Sequence, residues 1–164
     1  MDTKTKIIRD WTTLRQKIQS LRRRGKSVAF TNGCFDLLHE GHVSYLEAAK
    51  KNDRVLIVGL NTDASVKRLK GHQRPIVPQE GRARVLAALE CIDFVTFFNE
   101  DTPLKLIQAI RPDILVKGAD WKGKEVVGSD IVKFLGGRVE LIQYIPGKST
   151  TNIVGHILKR AKVK

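Results

Sequence analysis

The sequence has little of what metal-stapled, disulfide-linked or membrane-spanning domains need. Only two of its 164 residues are cysteines, Cys34 and Cys91, and they do not form a C-x-x-C pair. A zinc ribbon or a thioredoxin-like redox site is therefore not expected. No apolar run approaches the roughly 20 residues of a membrane-spanning helix, and the chain shows no signal peptide. We expect a reduced cytoplasmic protein without membrane contact.

Acidic residues are also scarce, with 17 Asp and Glu against 30 Lys and Arg, which gives a net charge of +13. Such an excess raises the question of a nucleic-acid partner. However, residues 1–26 carry nine Lys or Arg with two acids, and residues 159–164 carry four with none, so residues 27–158 are nearly balanced. We expect no nucleic-acid partner, whereas an anionic phosphorylated substrate would gain from the positive field.

Short apolar runs alternate with helical patterns along the chain, as in a parallel sheet covered by helices on both faces. The predicted strands are 27–31, 54–60, 94–98, 114–117 and 138–142. The predicted helices are 7–23, 41–51, 63–70, 80–90, 103–110, 129–135 and 150–162. The sequence thus predicts one α/β fold in which an amphipathic N-terminal helix within residues 1–26 precedes a main domain of residues 27–164.

The segments that follow the predicted strands are the places to search for a site, because open parallel sheets bind ligands at the carboxyl ends of their strands. These segments are 32–42, 61–70, 118–124 and 146–151.

The first of these segments carries the strongest motif. Residues 31–42 read T-N-G-C-F-D-L-L-H-E-G-H, and a helix is predicted to begin near Gly41. Backbone amides at a helix start, flanked by His39 and His42, form a site suited to phosphate. Two histidines could also be half of a zinc site, but His72 and His156 supply no second close pair, so phosphate binding is the better interpretation.

The segment resembles the G-x-F-D-x-x-H-x-G-H signature of the cytidylyltransferase-like nucleotidyltransferases. The matching positions are Gly33, Phe35, Asp36, His39, Gly41 and His42. Similar motifs follow at 67–71, 79–82, 116–121 and 147–153. The resemblance implies a Rossmann-like, doubly wound parallel sheet of five strands in a single domain with an extra N-terminal helix.

The resemblance also implies roles for individual residues. Those expected to act in catalysis are His39, His42 and Lys70. Those expected to bind the nucleotide are Asn32, Gly33, Cys34, Phe35, Gly41, Gly118, Asp120, Ser149, Thr150 and Thr151. Those expected to bind the second substrate are Lys67, Arg82 and Trp121, although a solvated charge for the first two and ordinary packing for Trp121 are alternatives. No residue is expected to bind a metal directly, and Mg²⁺ is expected to arrive with the triphosphate.

Within this superfamily, residues 31–39 and the L-K-G-x-x-R-P run at 69–75 are similar to D-glycero-β-D-manno-heptose 1-phosphate adenylyltransferases. That resemblance implies transfer of AMP from ATP to the heptose phosphate for lipopolysaccharide core synthesis, by a homodimer. A CTP-dependent enzyme acting on glycerol 3-phosphate or a similar small phosphate is the nearest alternative. Ala119 and the 146–148 run depart from the pattern of that group, which weakens the alternative. A non-catalytic nucleotide-binding module is the alternative of another class.

Overall fold

The computed structural model describes residues 2–51, 53–143 and 150–161. Within these residues, five strands form one sheet in the order β3-β2-β1-β4-β5, and every neighbouring pair is parallel. The strands are β1 (Ser27–Gly33), β2 (Arg54–Asn61), β3 (Phe94–Phe98), β4 (Ile114–Gly118) and β5 (Arg138–Ile142). This confirms the Rossmann-like, doubly wound five-stranded sheet that was predicted.

Helices cover both faces of the sheet. In the described ranges they are α1 (Trp11–Arg23), α2 (Glu40–Ala49), α3 (Asp63–Lys70), α4 (Gln79–Ala88), α5 (Leu104–Ile110), α6 (Ser129–Phe134) and α7 (Thr150–Ala161). Short 3₁₀ turns lie at Thr3–Lys6 and Ala119–Trp121. Except for the start of α1, the predicted boundaries lie within two residues of the observed ones.

The core consists of two apolar clusters, one on each face of the sheet. Successive residues of β1 point to opposite faces, so Ala29 packs with α2 and α4 while Phe30 packs with α1, α5 and α6. All eight residues of β2 are buried. Burial on both faces explains why these strands read as continuous apolar runs rather than as alternating patterns.

The predicted start of the first helix at residue 7 is wrong. Asp10 accepts hydrogen bonds from the backbone N–H groups of Thr12 and Thr13, and this N-cap starts α1 at Trp11. The preceding residues are extended instead, and the Ile8 N–H donates to the Val95 carbonyl oxygen at 2.8 Å. The segment therefore extends the sheet edge beside β3 by a single bridge.

Helix α1 is packed into the same core as the main sheet. Its two inward residues, Leu14 and Ile18, are fully buried in the cluster that also contains Phe30. The predicted boundary at residue 26 thus divides elements that share one core. No helix in the described residues is both long and apolar enough to cross a bilayer.

The strand order reverses at β1, which has β2 on one side and β4 on the other. The helices that follow β1 and β4 lie on opposite faces of the sheet. This leaves a crevice above the carboxyl ends of these two strands. Gly33 and Gly118 are the last residues of these two strands. The motif segments therefore meet at the switch point of the sheet.

Candidate active site

A pocket of about 1010 Å³ lies above the carboxyl ends of β1 and β4. Its walls come from the signature loop (residues 32–42), the end of α3 with the segment after it, the turn after β4 and the start of α7. The lining residues are Asn32, Gly33, Cys34, Phe35, Asp36, His39, Gly41, His42, Tyr45, Asn61, Leu69, Lys70, Arg74, Lys117, Gly118, Asp120, Trp121, Thr150, Thr151 and Asn152.

Most of the residues predicted from the motifs lie together in this pocket. Lys67 does not: it is exposed on α3 and is not part of the wall. Arg82 is also absent from the wall and is treated below. Ser149 lies outside the described residues.

The two signature histidines stack on each other at the start of α2. Their ring centroids are 3.9 Å apart, and the ring of Phe35 lies 5.2 Å from that of His42. His39 occupies the N-cap position, and its carbonyl oxygen accepts the first bond of the helix, from the His42 N–H at 2.9 Å. The imidazoles and the positive end of the helix dipole are thereby brought to the same part of the pocket.

His42 is held in its neutral form when the pocket contains no anion. Burial, followed by the charge of His39, lowers the pKa of His42 to about 4. Its Nδ1 atom is buried and has no hydrogen-bond partner in the described part of the chain. An anion bound beside the imidazole would favour the protonated form and supply the missing partner.

Asp36 connects the signature loop to the segment that follows α3. Its side chain is 1% exposed and accepts hydrogen bonds from Arg74 Nε at 2.5 Å and from the backbone N–H groups of Ile76 and Val77 at 2.9 Å. Burial alone would raise the pKa of Asp36, but these hydrogen bonds outweigh it and lower the pKa. Asp36 therefore orients the two loops and is not available to react.

Arg74 is a pocket residue that the sequence analysis did not assign. Its Nε is used by Asp36, and no hydrogen bond from its two Nη nitrogens is found among the described residues. A guanidinium fixed through one edge presents the other edge for bidentate contact with a phosphate. Its place in the L-K-G-x-x-R-P run was the available sequence signal.

The predicted contact between Arg82 and substrate is not supported by its position. The side chain is fully buried and donates to the carbonyl oxygens of Val77 at 2.9 Å and Cys34 at 2.6 Å, and to Asp63 at 2.7 Å. It thus holds the signature loop, α3 and α4 together from beneath the pocket. Its position favours a positioning role over the predicted substrate binding.

The side of the pocket near β4 carries a second residue that the sequence analysis missed. Lys117 is 8% exposed, and its Nζ donates to Asn32 Oδ1 at 2.5 Å and lies 5.3 Å from the ring centroid of Trp121. Burial lowers the pKa of Lys117 to about 8, against a smaller opposing effect of Asp120. A lysine at the end of an otherwise apolar strand was the only sequence signal.

The start of α7 lies against the signature loop. The Thr150 hydroxyl donates to the Leu37 carbonyl oxygen at 3.3 Å, and Thr151 lines the pocket beside it. A second helix start therefore contributes to the same crevice, where hydroxyls and N–H groups suit a phosphate or a ribose.

Cys34 has the environment of a packed residue rather than of a nucleophile. Burial raises the pKa of its thiol in spite of the nearby charges of Lys70, Arg82 and Arg74. A protonated thiol is a poor nucleophile. Its contribution to the site is the backbone carbonyl that anchors Arg82.

The positioning role of Arg82 predicts a stability defect. Lysine can replace at most part of its three hydrogen bonds, so Arg82→Lys should lower the free energy of unfolding by about 2–3 kcal/mol. The exposed Arg84 on the same helix is the matched control, and Arg84→Lys should stay within about 0.5 kcal/mol. Urea unfolding measures both. Wild-type stability in Arg82→Lys would contradict the assignment.

The buried state of His42 predicts a pH-dependent stability. The unfolded imidazole takes up a proton near its ordinary pKa of about 6.5, whereas the folded one resists protonation until about pH 4. The wild type should therefore lose stability relative to His42→Gln as the pH falls from about 6.5 to about 4, with a constant difference above pH 6.5. Denaturant unfolding at several pH values measures the difference, and parallel curves would argue against a buried neutral His42.

Comparison with known proteins agrees with this geometry. Residues 30–160 match the model of the family described as cytidylyltransferase-like. The bifunctional protein HldE of Syntrophotalea carbinolica is 57% identical over 148 residues, which cover 90% of this chain and 30% of that protein. HldE of Geobacter metallireducens is 56% identical over 142 residues, covering 87% and 29%. The chain thus spans about 30% of the length of these curated relatives.

A solved structure gives the same picture. The crystal structure of the lipopolysaccharide core biosynthesis protein from Thermoplasma volcanium superimposes with a TM-score of 0.59 at 28% identity, over 73% of this chain and 96% of that one. The family predicted from the histidine signature is confirmed by the match over residues 30–160. The chain belongs to the cytidylyltransferase-like family of nucleotidyltransferases.

Proposed function

We propose that the chain transfers AMP from ATP to D-glycero-β-D-manno-heptose 1-phosphate, giving ADP-heptose and pyrophosphate for lipopolysaccharide core synthesis. The observation that carries the proposal is the stacked His39–His42 pair at a helix start, in one pocket with Lys70 and Arg74. The similarity to bifunctional HldE proteins and to a lipopolysaccharide core biosynthesis protein supports this choice of substrate.

The reaction proposed is a single in-line displacement. An ionised oxygen of the sugar phosphate forms a bond to the α-phosphorus of ATP, while the bond from that phosphorus to the β-phosphate oxygen breaks. The electron pair of the broken bond leaves with pyrophosphate. Since the attacking oxygen carries no proton, no general base is needed, and catalysis depends on alignment and on neutralising charge.

The side chains of the pocket divide these tasks. His39 and His42 bind the α- and β-phosphates and stabilise the charge that develops on them. Lys70 and Arg74 neutralise the remaining phosphate charge. Thr150 and Thr151 at the start of α7 hold the nucleotide together with Asn32, Gly118 and Asp120. Ser149, which lies outside the described residues, is assigned the same role from its motif. Trp121 lines the same side of the pocket. Lys67, outside the wall, would act only through the long-range field.

The residues present suit Mg²⁺ as part of the substrate rather than as a resident metal. The described part of the chain has no cluster of three or more His, Cys, Asp or Glu that could hold an ion. The Asp36 carboxylate is occupied by three donors, which leaves Asp120 as the carboxylate able to approach the phosphates. Mg²⁺ usually binds through one or two carboxylates and substrate phosphates. Bound in this way, Mg²⁺ supplies charge neutralisation on the triphosphate.

We further propose that the protein is a cytoplasmic homodimer.

The function is tested by pyrophosphate release. The protein is mixed with Mg²⁺, the heptose 1-phosphate and ATP, CTP, GTP or UTP in parallel. Release with ATP alone is the expected result. Release with CTP and glycerol 3-phosphate instead would keep the mechanism and replace the substrates, an outcome compatible with the cytidylyltransferase-like family match. Nucleotide binding without turnover on any acceptor would indicate a non-catalytic module.

Removal of one imidazole should lower the catalytic rate without disrupting the fold. His42→Ala is expected to reduce kcat by about 10²–10³, the cost of one donor to the transition state. His72 is exposed and lies outside the pocket, so His72→Ala should retain the wild-type rate. Steady-state pyrophosphate release measures both. A wild-type kcat for His42→Ala would remove this residue from the catalytic role.

A further inference from the structure

Lys117 is a buried ammonium on which the charge of Asp120 has only a weaker effect than burial. It is 8% exposed near the end of β4, and no ion pair in the described ranges includes it. Its contacts are the Asn32 amide oxygen at 2.5 Å and the face of Trp121 at 5.3 Å. Buried lysines usually have an ionic partner, because desolvating an unpaired charge is costly. The position therefore calls for an explanation.

A purely structural role does not explain it. One hydrogen bond to Asn32 uses one of the three N–H groups of the ammonium. An apolar side chain of similar length would pack beside Trp121 without the desolvation cost that lowers the pKa of Lys117 to about 8. Lys117 lines the pocket, so its other N–H groups can meet a ligand there. An anion bound in the pocket would offset the free-energy cost of burying the ammonium.

The position of Lys117 relative to the other cations of the pocket indicates which role a bound anion has in the reaction. Lys70 and Arg74 follow β2 in the chain, whereas Lys117 belongs to β4, and these strands flank β1 on opposite sides. The cations of the pocket are thus divided between the two sides of the signature loop. A reaction that joins two phosphates must bring two anions into contact, and their repulsion falls when each has a cation of its own.

We propose that Lys117 binds a phosphate oxygen of a substrate, with Asn32 holding the ammonium in position. The inference rests on the proposed function in one respect: a nucleotidyl transfer supplies two phosphate ligands, the triphosphate and the sugar phosphate. Both have the same chemistry for an ammonium, and the experiment separates them.

The test compares Lys117→Met, Lys117→Arg and the matched control Lys122→Met with the wild type. Lys122 is exposed in the turn after β4 and does not line the pocket. Calorimetry measures the binding of Mg-ATP and of heptose 1-phosphate separately, without turnover, and thermal unfolding measures stability. Lys117→Met should unfold at the wild-type temperature or above it, since an apolar side chain removes a buried charge. It should nevertheless bind one of the two ligands about tenfold or more weakly.

The outcomes identify the source of the phosphate. Weaker binding of Mg-ATP alone assigns Lys117 to the triphosphate, and weaker binding of the heptose phosphate alone assigns it to the acceptor. Lys117→Arg, which keeps the charge, should recover part of the affinity, and Lys122→Met should match the wild type. Wild-type affinity of Lys117→Met for both ligands overturns the proposal, as does a loss of stability with unchanged affinities.

Failure of the proposed function would give a different result. In that case the wild type would not bind the heptose phosphate, or would bind Mg-CTP in place of Mg-ATP. Inorganic phosphate then replaces the sugar phosphate as the probe, and the nucleotide that the wild type binds replaces ATP. Lys117→Met must weaken the binding of that Mg-nucleotide or of inorganic phosphate for the assignment to hold, and equal affinities reject it whatever the acceptor is.

Discussion

The buried carboxylate of Asp36 is the contact on which the site depends. By accepting from Arg74 and from the N–H groups of Ile76 and Val77, it fixes the segment after α3 against the signature loop. Arg82 acts in the same way from below, through the Cys34 carbonyl and Asp63. The two contacts anchor an irregular loop that β1 alone could not hold. The histidines, Lys70 and Arg74 share one pocket because these anchors are present.

The charge that matters for function is therefore local rather than global. Most of the excess of +13 lies in residues 1–26 and 159–164, which are not part of the signature loop. The pocket instead uses a few cations on rigid supports: a guanidinium held by a buried carboxylate, an ammonium held by an amide, and imidazoles at a helix start. Preorganised donors of this kind need little rearrangement when charge develops on a phosphate.

The sequence was sufficient for the parts of this arrangement that are local. Strands buried on both faces read as apolar runs, and the Gly33 to His42 motif is contiguous, so the switch point and the histidine pair could be located. Arg82 and Lys117 could not be interpreted in this way. The partners that decide their roles, Cys34 and Asn32, lie 48 and 85 residues away. Whether such a side chain points into a pocket or beneath it depends on tertiary packing. The periodicity of apolar residues in the sequence does not report that packing.

The same limit applied to the first helix, where periodicity extended the helical pattern to Ile7. The N-cap at Asp10 instead starts the helix at Trp11, and the backbone of Ile8 gains a strand partner at the edge of β3.

In the pocket, burial favours the neutral forms of His42 and Lys117. A polyphosphate acts in the opposite direction on both. Ligand charge and side-chain protonation are therefore coupled, and the coupling is strongest at His42, whose pKa of about 4 lies furthest below neutral pH.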